Sequence, residues 1–193
     1  MQSLILASTS PRRKDILKQY GIKFKVIAPE ADEEAVKRSL KTDNPYEIAN
    51  IIAYEKAKSV LPKVKKGIIL GSDTIVVLKG EILGKPKDKK DAVRILSKLS
   101  SNTHSVITSI ALIDSVTGKS IVTYDESRIT FKRMSPNAVR KYIEENHVLD
   151  KAGAYAIQEN SDPFVKKFTG SYHNIVGLPI EKLLEVIKIW ERI

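Results

Sequence analysis

Leu4-Ile5-Leu6-Ala7-Ser8-Thr9-Ser10-Pro11-Arg12-Arg13-Lys14 passes from a short apolar run, through hydroxyl residues, directly into a helix. Leu4 to Ala7 reads as a buried strand. Ser10 is a good N-cap, Pro11 is pre-shaped for the first helical position, and Gly21 supplies the stop. A helix N-terminus carries free backbone N–H groups and a partial positive charge, so it favours phosphate oxygens. Arg12, Arg13 and Lys14 lie in that first turn, where cations oppose the dipole, an arrangement that makes sense if an anion sits among them. Arg13 shares a helical face with Ile16, Leu17 and Tyr20, so its stem follows the core stripe. The plainer alternative is a basic surface helix without a ligand.

The 193 residues suit one domain, 1–193, or two lobes around one cleft. A hydrophobic content of 42% and a charged content of 29% describe an ordinary soluble globular chain. No apolar run approaches the roughly 18 residues of a membrane span, and no basic segment leads into a long apolar one. Zero cysteines exclude disulfides and thiolate metal sites and are compatible with the expected cytoplasmic location. The net charge of +10 points to an anionic partner: nucleotide, nucleic acid or acidic lipid.

Outward along the chain, Ile22–Ala28 alternates as a strand. Glu30, Asp32, Glu33 and Glu34 then form an acidic patch, expected as a solvated loop and alternatively a holder of a divalent cation. Asn44-Pro45 opens a helix to about Leu61 whose apolar arc holds Ile48, Ala49, Ile52, Ala53, Ala57 and Val60. Lys56 lies near the middle of that arc and must snorkel outward or meet an anion. In Ile68-Ile69-Leu70-Gly71-Ser72-Asp73-Thr74-Ile75-Val76-Val77-Leu78, two β-type runs flank one carboxylate. Burying it unpaired is expensive, so Asp73 is expected at a strand break facing a cleft, with a cation or hydrogen-bond donors beside it. Lys79-Gly80-Glu81 reads as a tight turn. Gly80-x-x-x-Gly84-Lys85-Pro86 is one residue short of a P-loop and has proline where the metal-binding hydroxyl belongs, so it is not one. Lys85 remains a candidate phosphate ligand.

Asp88 caps a helix to about Ser100. Strands follow at His104–Asp114 and Ser120–Lys132, joined by a turn at Thr117-Gly118. Ser135-Pro136 starts a helix to about Glu145, and Pro179 starts a last one with Ile180, Leu183, Leu184 and Ile187 inward. Between these helices Asp150-Lys151-Ala152-Gly153-Ala154-Tyr155-Ala156-Ile157-Gln158 looks strand-like. Its small side chains would let a flat ligand approach the backbone, and Gln158 can read a base edge. Gly170-Ser171-Tyr172-His173-Asn174-Ile175-Val176-Gly177 reads similarly.

Taken together, Ser8-Thr9-Ser10-Pro11-Arg12-Arg13, Glu55-Lys56-Ala57, Gly71-Ser72-Asp73-Thr74, Gly84-Lys85-Pro86 and the Asp150–Gln158 and Gly170–Pro179 stretches resemble the Maf family of nucleoside triphosphate pyrophosphatases. The likeness covers almost the whole chain, in the family's order. It implies an α/β fold shared with inosine triphosphate pyrophosphatases: a long mixed sheet, flanking helices and a cleft between two lobes. It also implies hydrolysis of a nucleoside triphosphate to the monophosphate and pyrophosphate with a divalent metal such as magnesium. Arg12, Thr74 and Gln158 resemble the dTTP/UTP-preferring branch. Ser72 and Thr9 depart mildly from the usual alanine and glycine or asparagine, and neither change removes a charged group.

On this reading Asp73 is the general base or orients the water. Arg13, Lys56, Lys85 and Ser8 hold phosphates, and Glu33, with Asp73, holds magnesium. The rival readings are a nucleic-acid-binding module, disfavoured for want of exposed aromatics, and a regulatory nucleotide binder without hydrolysis. The oligomeric state stays open, a homodimer included.

Overall fold

In the computed structural model, which describes residues 3–157 and 163–190, strand β1 (Leu4–Ala7) is buried on both faces. It is followed by helix α1 (Pro11–Gln19). Gly21, at φ +67°, ends the helix in a Schellman-type turn: its N–H reaches the Lys18 carbonyl at 2.9 Å, and the Ile22 N–H reaches Leu17 at 3.0 Å. Next come β2 (Phe24–Val26), α2 (Glu33–Ser39), α3 (Pro45–Lys58), β3 (Ile68–Leu78), β4 (Glu81–Leu83) and α4 (Lys89–Leu99). The chain then forms β5 (Thr103–Asp114), β6 (Ser120–Phe131), α5 (Pro136–Glu145), β7 (Val165–Thr169), α6 (Tyr172–Val176) and α7 (Ile180–Trp190).

The strands make one mixed sheet in the order β2-β1-β3-β5-β6-β7, with β4 also paired to β3. The pairs β1–β2 and β1–β3 are parallel and the others antiparallel. Alternation along the strands distributes the helices. Leu4, Leu6 and Leu70 pack against Ile16 and Leu17 of α1 and Leu183 of α7. Ile5, Ala7 and Ile69 point the other way, onto Ala53 and Ala57 of α3. Farther along β3, Val76 and Leu78 join Leu96 of α4 and Ile143 of α5. One face of the sheet thus carries α3, and the other is divided between an α1/α7 group and an α4/α5 group. This is the expected mixed α/β architecture with helices on both faces.

The register of β3 opens the sheet. On one edge β3 pairs with β1 over Ile68–Gly71 and with β4 over Val76–Leu78. Among the described residues, no strand lies beside Ser72 to Ile75 on that edge, while β5 supports them continuously on the other. The expected break at Asp73 is therefore not in its own strand. It is the interval between two neighbouring strands, and β3 runs through unbroken.

Four other expectations change. The acidic patch is not all loop: α2 starts in it, with Asp32 Oδ1 accepting from the Ala35 N–H at 2.9 Å as cap and Glu33 in its first turn. The Ile22–Ala28 strand shortens to Phe24–Val26. Among the described residues of Asp150–Gln158, the chain forms a 3-10 turn at Ala152–Ala154 rather than a strand, with Gly153 at φ +73°. Gly170–Gly177 is a capped helical turn, α6, with Ser171 Oγ accepting from the Asn174 N–H. The Lys79-Gly80 turn is as expected, both residues having positive φ in a two-residue hairpin loop.

Candidate active site

A cleft of about 480 Å³ opens at the interval in the sheet edge. Into it face the end of β1, the start of α1, mid-β3, Lys85 after β4, and the Asp150–Ile157 segment. Ser8, Arg12, Arg13, Glu33, Lys56, Asp73, Thr74 and Lys85, from widely separated segments, all line it. Gln158 lies outside the described residues.

The start of α1 differs from expectation in one respect. Ser10 occupies the N-cap position, but its side chain makes no capping bond. Instead its N–H donates to Ser8 Oγ at 3.2 Å, and Arg13 Nη1 donates to the same oxygen at 3.2 Å. Ser8 Oγ therefore accepts twice and retains its own proton to offer to an oxygen in the cleft. Arg13 is held at two further points: Nε donates to the Gly177 carbonyl at 2.8 Å, and Nη2 donates to Thr74 Oγ1 at 3.2 Å. Three of its five N–H groups are thus fixed by protein. Burial lowers its pKa, Asp73 opposes that, and the charge of Arg12 adds to it; an arginine stays protonated all the same.

On the α3 side of β3 lies a cluster of opposite charges. Lys56 is buried and does not snorkel: Nζ donates to Asp73 Oδ1 at 2.7 Å and pairs with Glu33 Oε1 at 2.9 Å. The packing of α3 makes this possible. Ala49, Ala53 and Ala57 form its sheet-facing stripe, so helix and strand come very close; a Cβ on Gly71 would lie 2.2 Å from the Ala53 carbonyl oxygen. Alanines bury less area than leucines would, and what they provide is proximity. Burial opposes ionisation of Glu33. The charge and hydrogen bond of Lys56, with Lys85 and Lys37 nearby, outweigh it and hold the carboxyl below its ordinary range.

Glu33 and Asp73 converge on one ammonium group, which places two carboxylates within reach of a single cation. Among the described residues no group of three or more His, Asp or Glu could hold a metal. A pair of carboxylates fits a magnesium-like ion that takes its remaining ligands from phosphate oxygens and water.

Lys85 is exposed on the rim of the cleft. Arg12 also lines it, and its buried Nε has no protein partner among the described residues. Thr74, expected as a specificity residue, has its hydroxyl occupied by Arg13 and by Thr108 Oγ1 at 3.0 Å. Two features escaped the sequence reading. Lys151 lines the cleft with its ammonium on Asp150 Oδ1 at 2.6 Å and on the His147 carbonyl. Asn174 is fully buried behind the site, and its only sequence signal is its place between Ser171 and Gly177.

A family model described as Maf-like protein matches residues 3–190. The chain belongs to the Maf-like family. It is 43% identical over 188 residues to a protein of Alkaliphilus metalliredigens, covering 97% of this chain and 95% of the relative. It is 40% identical over 187 residues to one of Symbiobacterium thermophilum, covering 97% and 93%. It is 40% identical over 186 residues to one of Clostridioides difficile, covering 96% and 94%. All three relatives bear the name dTTP/UTP pyrophosphatase. The cleft of this Maf-like protein thus lies in a chain that matches them nearly end to end. Among the described residues no helix is long and apolar enough to cross a membrane.

Proposed function

We propose that this protein hydrolyses dTTP and UTP to the monophosphate and pyrophosphate, with magnesium, in the cytoplasm. The observation that carries the reading is Asp73, a buried carboxylate held by Lys56 in a cleft that Arg13, Lys85 and the start of α1 make cationic. The names of the nearly full-length relatives support the same substrates.

The residues divide the work by chemistry. The free N–H groups of α1, the Ser8 hydroxyl, Arg13 and Lys85 receive triphosphate oxygens. Glu33 and Asp73 would hold the magnesium ion, which when bound neutralises phosphate charge. Asp73 orients a water and takes its proton. The water oxygen bonds to the α-phosphorus, the bond from that phosphorus to the bridging oxygen breaks, and pyrophosphate leaves with the electron pair. Lys56, already between both carboxylates, holds them in place for this task. Arg12, the Ala152–Ala156 backbone and Gln158 are assigned to the base, and the effect of Thr74 on substrate choice runs through Arg13.

Pyrophosphate release from purified protein, measured with UTP, dTTP, CTP, ATP and GTP with and without a chelator, tests the reading. UTP and dTTP are expected to be preferred, and the chelator to abolish turnover. Comparable kcat/KM across UTP, CTP and GTP would overturn the specificity; nucleotide binding without pyrophosphate release would favour a regulatory binder.

A further inference from the structure

Behind Arg13 runs a chain of hydrogen bonds whose direction is fixed by its far end. Thr108 Oγ1 lies 2.8 Å from the Asn174 carbonyl oxygen, which can only accept. The single Thr108 proton is thereby used, so in the 3.0 Å contact between Thr108 and Thr74 the proton belongs to Thr74. Thr74 Oγ1 is then left as a pure acceptor toward Arg13 Nη2. A guanidinium has no acceptor of its own, so only this polarity is compatible with it.

The far end is itself rigid. The Asn174 side-chain amide lies against β5 as a neighbouring peptide group would: Oδ1 accepts from the Thr108 N–H at 3.1 Å, and Nδ2 donates to the Val106 carbonyl at 2.9 Å. Nδ2 also donates to Ser127 Oγ on β6 at 2.9 Å. Asn174 and Thr108 are fully buried, and neither lines the cleft. Asn174 also belongs to α6, whose C-cap residue Gly177 supplies the carbonyl that holds Arg13 Nε. Two of the three contacts on the guanidinium therefore trace back to one buried asparagine, through the side-chain relay and through the short helix.

We propose that Thr108 and Asn174 are positioning residues that fix the plane of Arg13 toward the phosphates without touching substrate. This rests on the reading of Arg13 as a phosphate ligand. Thr108→Val keeps the volume but removes the hydroxyl, and Thr108→Ser keeps the hydroxyl. Each is made in the wild-type and Arg13→Lys backgrounds, and binding of a non-hydrolysable UTP analogue is measured by calorimetry alongside turnover of UTP. Thr108→Val is expected to weaken analogue binding about tenfold in the wild-type background and less than twofold with Arg13→Lys, while Thr108→Ser stays within about twofold of wild type. Side-chain NMR of the free protein, with the Arg13 signals assigned by their loss in Arg13→Lys, should show restricted Nη groups in wild type and Thr108→Ser. In Thr108→Val the Nη2 group, whose acceptor Thr74 is no longer oriented, should rotate faster, while Nη1 stays on Ser8. Equal losses in both backgrounds, or unchanged Arg13 signals in Thr108→Val, would overturn the positioning role. A wild-type protein that cleaves no nucleoside triphosphate would instead overturn the proposed function, and the NMR comparison would still decide the relay.

Discussion

Lys56 and Asp73 form a 2.7 Å ion pair in which both side chains are about nine-tenths buried. Glu33 completes the cluster at 2.9 Å from the same ammonium, so three charged groups sum to one formal negative charge at the wall of the cleft. Such an excess suits the arrival of a divalent cation with a polyanion.

Lys56→Ala leaves two carboxylates facing each other without the ammonium that bridges them. Breaking a fully buried pair from one side costs about 3–5 kcal/mol, but Glu33 is partly exposed and the cleft admits water, so a loss of roughly 2 kcal/mol is expected. Urea unfolding measures it. Millimolar magnesium should restore stability in the variant more than in wild type, because the ion replaces the missing charge in the folded state only. A variant as stable as wild type would show that cleft water alone satisfies the carboxylates.

Asp73→Asn preserves the shape of the side chain and removes its basicity. Turnover should fall by roughly 10² or more, the usual contribution of a positioned base, with analogue binding changed only a few-fold. Rates within a few-fold of wild type would remove Asp73 from the chemistry.

Gly71→Ala tests the close approach of α3 to β3. The added methyl meets the Ala53 backbone at 2.2 Å, and backbone has nowhere to move without displacing the helix. The expected cost is about 3 kcal/mol or more in chemical denaturation, with a loss of turnover as Lys56 moves away from Asp73. Wild-type stability would mean that α3 is less firmly seated than this geometry requires.

The same contrast between local and distant causes explains what could be read in the chain. Helices α3, α4 and α5 were legible because each begins with a residue that caps its own backbone: Asn44, Asp88 and Ser135 accept from Tyr46, Asp91 and Ala138 N–H groups. The convergence of Ser8, Arg13, Lys56, Asp73 and Lys85 was legible as chemistry, since each stood out as a charge or hydroxyl in apolar or turn-forming company. Helix α2 was not, because it buries no residue and shows no apolar period. Strand β7 was missed because Val165–Thr169 pairs, among the described residues, with the end of β6 alone and carries two exposed lysines. The Ala152–Ala154 segment takes its conformation from a distant partner, the Gly84 carbonyl that accepts from Gly153 N–H. Tyr172–Val176, though capped locally by Ser171 Oγ, is placed by the contacts of Asn174 on β5. Nothing within those segments announces such contacts.

His104 predicts the acid limb of stability. Burial lowers its pKa from 6.5 to about 4, and its Nε2 lies 2.8 Å from the Tyr155 hydroxyl. Between those values the unfolded chain binds the proton and the folded one does not. Its contribution is therefore complete above pH 6.5 and declines as pH falls toward 4. From pH 7.5 to 5 this group alone should cost about 2 kcal/mol. His104→Gln cannot titrate, so urea unfolding at the two pH values should show a smaller drop by about that amount. An equal drop in both proteins would mean that His104 titrates freely in the fold.

The interval in the sheet edge also separates what can vary from what cannot. Asp73 and Thr74 are set by β3 and β5, long strands paired without interruption past the cleft. The rim at Asp150–Ile157 is a connecting segment whose described part holds only a short 3-10 turn, where changes of composition are tolerated best. Substitution can therefore reshape the entrance and leave Asp73 and Thr74 in place, so that one architecture accommodates differently shaped ligands over a fixed floor.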